Sequence, residues 1–221
     1  MKRIIFLFAI LLTCAASAQQ LKVSILGDSY SSFRGLIPEG YDIFYPHDQV
    51  DVKEADQTWW GQLIKENGWQ LEINNSYSGS TICNTGYGRA DFSDRAFISR
   101  INYIGNPDIL FIFGGTNDAW ANSPIGEYIY SDWTKQDLFS FRPALAYLLN
   151  GLKGLYPKMK IYLLLNDGLK PEIGESMEAI GARYDVPVIK LQGIDKAIGH
   201  PTAAGMKEIS RQINAFMAAE K

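Results

Sequence analysis

Ile109-Leu110-Phe111-Ile112-Phe113-Gly114-Gly115-Thr116-Asn117-Asp118 is five apolar residues followed by a glycine pair and three polar residues. A short unbroken apolar run of this kind is a strand buried on both faces, and parallel sheets are built of such strands. The glycines and polar residues then mark a loop at the strand's carboxyl end.

The rest of the chain repeats the theme. Leu21 to Leu26 reads as a first strand ending at Gly27, and Gln70 to Ile73 as a short second one. Lys160 to Leu165 and Val186 to Lys190 complete the set. Helical spacing lies between and after them. Gln57 to Asn67 places Trp59, Trp60, Leu63 and Ile64 on one side, with Gly68 as its stop. A helix opening at Pro143 carries Leu145, Leu148, Leu149 and Leu152. Glu172 to Tyr184 is helical, and Ala203 to Ala218 closes the chain with Met206, Ile209, Ile213 and Phe216 on one face. Strands alternating with helical crossovers predict an α/β domain, a parallel sheet covered by helices on both faces. In such folds reactive residues gather just after strands. Two segments, Ser32 to Glu54 and Ser76 to Asp94, are long and aperiodic, as binding loops are.

With 221 residues, 47% of them apolar, one domain can bury a full core without metal or disulfide staples. The N-terminus stands apart from it. Lys2-Arg3 is a basic start, Ile4 to Leu12 is apolar, and Ala16-Ser17-Ala18 is a small-x-small cleavage site. These features predict a secretory signal peptide over 1–18 and a mature single domain over 19–221. The apolar run is too short for a membrane span. The expected address is periplasmic or extracellular. Leu11-Leu12-Thr13-Cys14 offers the alternative of a lipid anchor on Cys14, against which Thr13 is a poor match. A chain cut after Ala18 keeps only Cys83, so it has no internal disulfide. The formal charge of −3, with no basic stripe, argues against nucleic acid. No cofactor is implied. Two isolated histidines offer no metal-ligand spacing. The oligomeric state is not encoded in any pattern here.

Four short motifs stand where reactive residues are expected. Gly27-Asp28-Ser29 follows the first strand, and Ser78-Gly79-Ser80 comes shortly after the second. Asn117 follows the strand Ile109 to Phe113, and His200-Pro201 precedes the last helix. Each alone is also an ordinary turn or cap. Together they supply what acyl transfer needs. A serine hydroxyl requires a base to become a nucleophile, and histidine titrates near working pH. Backbone N–H groups and an Asn amide can hold the oxyanion. Of the two histidines, His47 sits in a Tyr- and Pro-rich loop without a companion motif, so His200 is the candidate base.

Gly27-Asp28-Ser29-Tyr30, Gly79, Gly115-Thr116-Asn117-Asp118 and His200-Pro201-Thr202, in that order, resemble the blocks of the SGNH (GDSL-type) hydrolases. The resemblance runs from about Leu21 to the C-terminus. It implies a three-layer α/β/α domain with a flavodoxin-like sheet. It also implies Ser29 as the nucleophile that forms an acyl-enzyme and His200 as the base. The implied oxyanion hole is Ser29 N–H, Gly79 N–H and the Asn117 side chain. Asp28 and Asp118 match positions that are usually structural. One position departs from the family pattern. The acid usually stands three residues before the histidine, where this chain has Ala197. Asp195 is the nearest acid and the candidate orienting residue, if Gly199 lets the loop bulge. The alternative is a Ser-His dyad, its ring held by a backbone carbonyl or by another acid such as Asp167.

The expected function is an exported carboxylic-ester hydrolase acting on a small-molecule or carbohydrate ester, with O-deacetylation of carbohydrate as the first candidate. No long apolar lid argues for a lipase. A short-chain esterase, a thioesterase or lysophospholipase, and an acyltransferase using the same acyl-enzyme stay open. From a different class, a non-catalytic carbohydrate-binding protein on the same scaffold would explain the missing acid. It would not explain why Ser29, Gly79, Asn117 and His200 are all present.

Overall fold

The computed structural model describes residues 20–220. The expected signal peptide over 1–18, Cys14 included, lies outside them. Five strands, β1 (Lys22–Gly27), β2 (Gln70–Ser76), β3 (Ile109–Phe113), β4 (Lys160–Leu165) and β5 (Val188–Lys190), form one sheet in the order β2-β1-β3-β4-β5. All four pairings are parallel. Around the sheet pack α1 (Trp59–Asn67), the short α2 (Thr116–Trp120), α3 (Phe141–Leu155), α4 (Pro171–Arg183) and α5 (Ala203–Ala219).

Strand alternation shows how the two faces are divided. In β3, Leu110 and Ile112 point to one side, where Leu145, Leu149 and Leu152 of α3 and Ile173, Met177 and Ile180 of α4 meet them. Ile109, Phe111 and Phe113 point to the other, against Trp59 and Leu63 of α1 and Met206, Ile209 and Ile213 of α5. The result is the expected three-layer α/β/α arrangement. A core substitution such as Leu149→Ala would cost about 2–5 kcal/mol, since the site cannot fully collapse around the void. Among the described residues no helix is long and apolar enough to cross a membrane.

The boundaries differ from the sequence reading where hydrogen bonds overrule pattern. Strand β2 continues past Ile73 through Asn74, Asn75 and Ser76, which are polar but buried. Asn74 Nδ2 donates to Ser31 C=O at 2.9 Å, and Asn75 Nδ2 donates to Tyr103 C=O at 2.8 Å. Helix α1 starts at Trp59 because Thr58 is its cap, its Oγ1 accepting from Gly61 N–H. Helix α3 starts at Phe141, leaving Pro143 in the first turn, where no N–H is needed. Strand β5 starts after Pro187, which has no N–H for the ladder. One element has no periodic signal in the sequence: a hairpin of two two-residue strands, β6 (Lys196–Ala197) and β7 (His200–Pro201).

Strand order sets the place of the site. The chain steps from β1 to one neighbour, β2, and later adds β3 on the other side. Loops leaving β1 and β3 therefore diverge and open a crevice at their carboxyl ends.

Candidate active site

Ser29 stands two residues beyond β1, in a tight turn closed by Ser31 and Ser32 N–H donating to Asp28 C=O, both at 3.1 Å. The turn starts at Gly27 because no side chain fits there. A Cβ on Gly27 would lie 2.5 Å from Ser76 Oγ and 2.7 Å from Ser31 Cβ. Ser29 is only 4% exposed. Its Oγ lies 3.0 Å from His200 Nε2, so the structure brings the expected nucleophile and base together across 171 positions of sequence.

The three expected oxyanion donors differ in what holds them. Neither Ser29 N–H nor Gly79 N–H donates to a protein acceptor among the described residues. The Asn117 amide is fixed at both ends. Its Nδ2 donates to Asp28 Oδ2 at 3.2 Å, leaving a second N–H, and its Oδ1 accepts from Tyr87 O–H at 2.6 Å.

Beneath these donors is a buried polar frame. Asp28 Oδ1 accepts from Tyr30 N–H. Burial pushes its carboxyl up to about 7, opposed by that hydrogen bond and by the Arg100 charge. Asp118 accepts from Ile82 and Cys83 N–H and so ties the Gly79 loop to α2. Burial raises it to about 6, against the pull of those two N–H groups. Arg100 is 2% exposed and has no carboxylate within ion-pair distance among the described residues. Its guanidinium instead donates to Gly27 C=O, Asn75 C=O and Ser80 Oγ, which joins the ends of β1 and β2 to the Gly79 loop. Burial lowers its pKa to about 10, so it stays charged at neutral pH.

The histidine is held differently. Ile198 (φ 46°) and Gly199 (φ 80°) are both left-handed, the combination a two-residue type I′ turn requires, and they join β6 to β7. His200 Nδ1 faces Ile198 C=O at 3.2 Å. A carbonyl only accepts, so Nδ1 carries the proton and Nε2 is free to accept from Ser29. Burial lowers the His200 pKa, which favours the neutral ring, against the hydrogen bond to Ile198.

Asp195 is not brought to the ring nitrogen. The tight hairpin does not bulge, and the Asp195 carboxylate accepts from Thr202 O–H. Asp167 is engaged as well: it pairs with Lys196 Nζ and accepts from Ile194 N–H at 2.9 Å. Of the acceptors the sequence left open for the ring, the Ile198 carbonyl faces Nδ1 and neither carboxylate does.

Several contributors lie outside the residues the sequence singled out for catalysis. Tyr30 O–H donates to Gly199 C=O at 2.6 Å, and Tyr45 O–H donates to Pro201 C=O at 2.7 Å, so two buried tyrosines pin the hairpin. Asn166, just after β4, donates to Tyr30 Oη and Thr116 Oγ1. The exposed Trp120 and Tyr87 flank the crevice. Only their position inside or beside the aperiodic loops and the Asn117 block could have drawn attention to them.

Comparison with known proteins bears on the family and the fold. The model of the GDSL-like lipase/acylhydrolase family matches residues 21–217. A crystal structure of a candidate GDSL-like lipase from Bacteroides ovatus ATCC 8483 is 53% identical, with a TM-score of 0.89 over 90% of this chain and 99% of that one. Its counterpart from Bacteroides uniformis ATCC 8492 is 51% identical, with a TM-score of 0.89 over 90% and 96%. A family two carbohydrate esterase from Clostridium thermocellum, solved with cellohexaose, shares the fold at 15% identity, with a TM-score of 0.63 over 91% and 65%. No curated protein matches the chain.

Proposed function

The chain belongs to the GDSL-like lipase/acylhydrolase family of hydrolases, and from that premise we propose that it is an exported serine esterase working through a Ser29–His200 dyad. The observation that carries this reading is the 3.0 Å contact of Ser29 Oγ with His200 Nε2 beside unclaimed N–H donors.

In the proposed reaction His200 Nε2 takes the Ser29 proton as Oγ attacks the ester carbonyl carbon. The oxyanion is held by Ser29 N–H, Gly79 N–H and Asn117 Nδ2. Collapse expels the alcohol, which leaves with the proton from Nε2, and the acyl group stays on Oγ. Water then attacks the acyl-enzyme, His200 takes its proton, and the carboxylic acid departs while Oγ regains its hydrogen. Throughout, Ile198 C=O holds the Nδ1–H end of the ring, so Asp195 has no part in the reaction.

For the substrate we favour an O-acylated carbohydrate. The support is Trp120, 47% exposed and 6.0 Å from the His200 ring, a flat apolar face of the kind on which sugar rings rest. Carbohydrate esterases on the same fold are consistent with it.

The test is hydrolysis of a short-chain aryl ester. Ser29→Ala should reduce kcat by about 10³-fold or more without changing the fold. Full activity in that variant would remove Ser29 as nucleophile. A panel of acetylated polysaccharides then decides the substrate class. Hydrolysis of simple esters with none of the polysaccharides would exclude the carbohydrate reading.

A further inference from the structure

A serine–histidine pair without a carboxylate lacks two things: a firm orientation for the ring and a partner for its positive charge. The Ile198 carbonyl fixes one ring atom at 3.2 Å, but a histidine's outer torsion is broad, and one hydrogen bond leaves the plane free to tilt.

Phe44 lies where that tilt would occur. Its ring is 3.5 Å from the His200 ring, centroid to centroid, and within 8° of parallel. On its other face lies His47, at 4.8 Å and 4°, so three rings form one pile. The remaining sides of His200 meet Tyr30 at 5.4 Å and Trp120 at 6.0 Å, both inclined.

Phe44 is itself fixed to both partners of the reaction. Its N–H donates to Ser32 Oγ at 2.9 Å, and Ser32 Oγ–H donates to Ser29 C=O at 3.3 Å. The next residue, Tyr45, bonds to Pro201 beside the histidine. The aromatic wall is thus referenced to the nucleophile turn on one side and to the base hairpin on the other. An aromatic face also favours a cation over a neutral group, and His200 becomes a cation when it takes the serine proton.

We propose that Phe44 is the positioning residue for the base, doing by face contact what an acid does elsewhere by hydrogen bond. The proposal rests on the Ser29–His200 reading. Phe44 supplies no group to bond making or proton transfer and acts through the ring of His200, on whose face it lies.

The test compares Phe44→Leu, which keeps bulk but removes the flat face, with Phe44→Tyr, which keeps the face. Two readouts are needed: kcat and KM on a short-chain aryl ester, and the ¹⁵N shifts of the His200 ring. A His47→Gln spectrum assigns those shifts, since the chain has only two histidines. In Phe44→Leu, kcat should fall about tenfold with KM within about twofold, the signature of a misplaced group rather than lost binding. The ring shifts should move from the Nδ1–H tautomer toward an average of both. Phe44→Tyr should retain the wild-type values of each. Unchanged ring shifts in Phe44→Leu would overturn the proposal, whatever kcat does. If Ser29→Ala stays active, the dyad reading fails by itself. The ring shifts then still decide whether Phe44 holds His200.

Discussion

The two sides of the crevice are built on opposite plans. The side that would hold the oxyanion stands on the ends of β1, β2 and β3 and is framed by buried titratable groups: Asp28, Asp118 and Arg100, each at most 2% exposed. The side that would carry the base is a half-exposed hairpin held by tyrosine hydroxyls and a stacked phenyl ring. The difference follows from what each must do. Donors to an oxyanion work by being in place before charge develops, and a buried, satisfied polar network gives that rigidity. A base needs one nitrogen aimed at one oxygen, and several kinds of contact can aim a ring. In the proposed dyad the acid is the member that these contacts would replace.

Breaking the buried side should have the larger effect. Asn117→Ala removes one donor and also frees the Asp28 carboxylate and the Tyr87 hydroxyl that held the amide. The loss in kcat should be about 10²- to 10³-fold, with KM little changed. A loss below about tenfold would mean that Ser29 and Gly79 N–H suffice for the oxyanion.

A milder change on the same side sharpens the comparison. Tyr87→Phe leaves Asn117 in place but removes the O–H that fixes which end of the amide faces the crevice. One neutral hydrogen bond is worth about 1 kcal/mol, so kcat should fall about fivefold. No effect on kcat would show that Asp28 alone orients Asn117.

How far the sequence reveals these two sides differs in the same way. The oxyanion side is legible because its members follow strands, and strands announce themselves as apolar runs such as Ile109 to Phe113. The parallel sheet and its covering helices are legible for the same reason. The far end of β2 is not, because Asn74, Asn75 and Ser76 are polar residues made strand by buried hydrogen bonds. On the base side only His200 itself is legible. Its support comes from Tyr30, Phe44 and Tyr45, more than 150 positions away; Tyr30 stands in the Ser29 block with no sign of that role, and Phe44 and Tyr45 look like any other loop aromatics until the chain is folded. The direction of Asp195 is equally hidden. Its distance from His200 along the chain is plain, but a tight hairpin and a bulged loop can share that spacing.

Asp195 gives the smallest expected effect on catalysis and the most direct test of the contrast. Its carboxylate accepts from Thr202 O–H, and Thr202 Oγ1 in turn accepts from Gly205 N–H as the cap of α5. Asp195→Asn should therefore weaken a helix cap rather than misorient a base. A stability loss of about 1 kcal/mol or less is expected, read as a lower midpoint in urea, with kcat within about twofold of wild type. Asp167→Asn removes the partner of Lys196 and should likewise leave kcat nearly unchanged. Had either carboxylate oriented the imidazole, its loss would cost orders of magnitude in kcat by admitting the wrong tautomer. Such a loss in one variant alone would identify that residue as the third member of a triad. The base side would then depend on a carboxylate after all, and its contrast with the buried side would lie only in exposure.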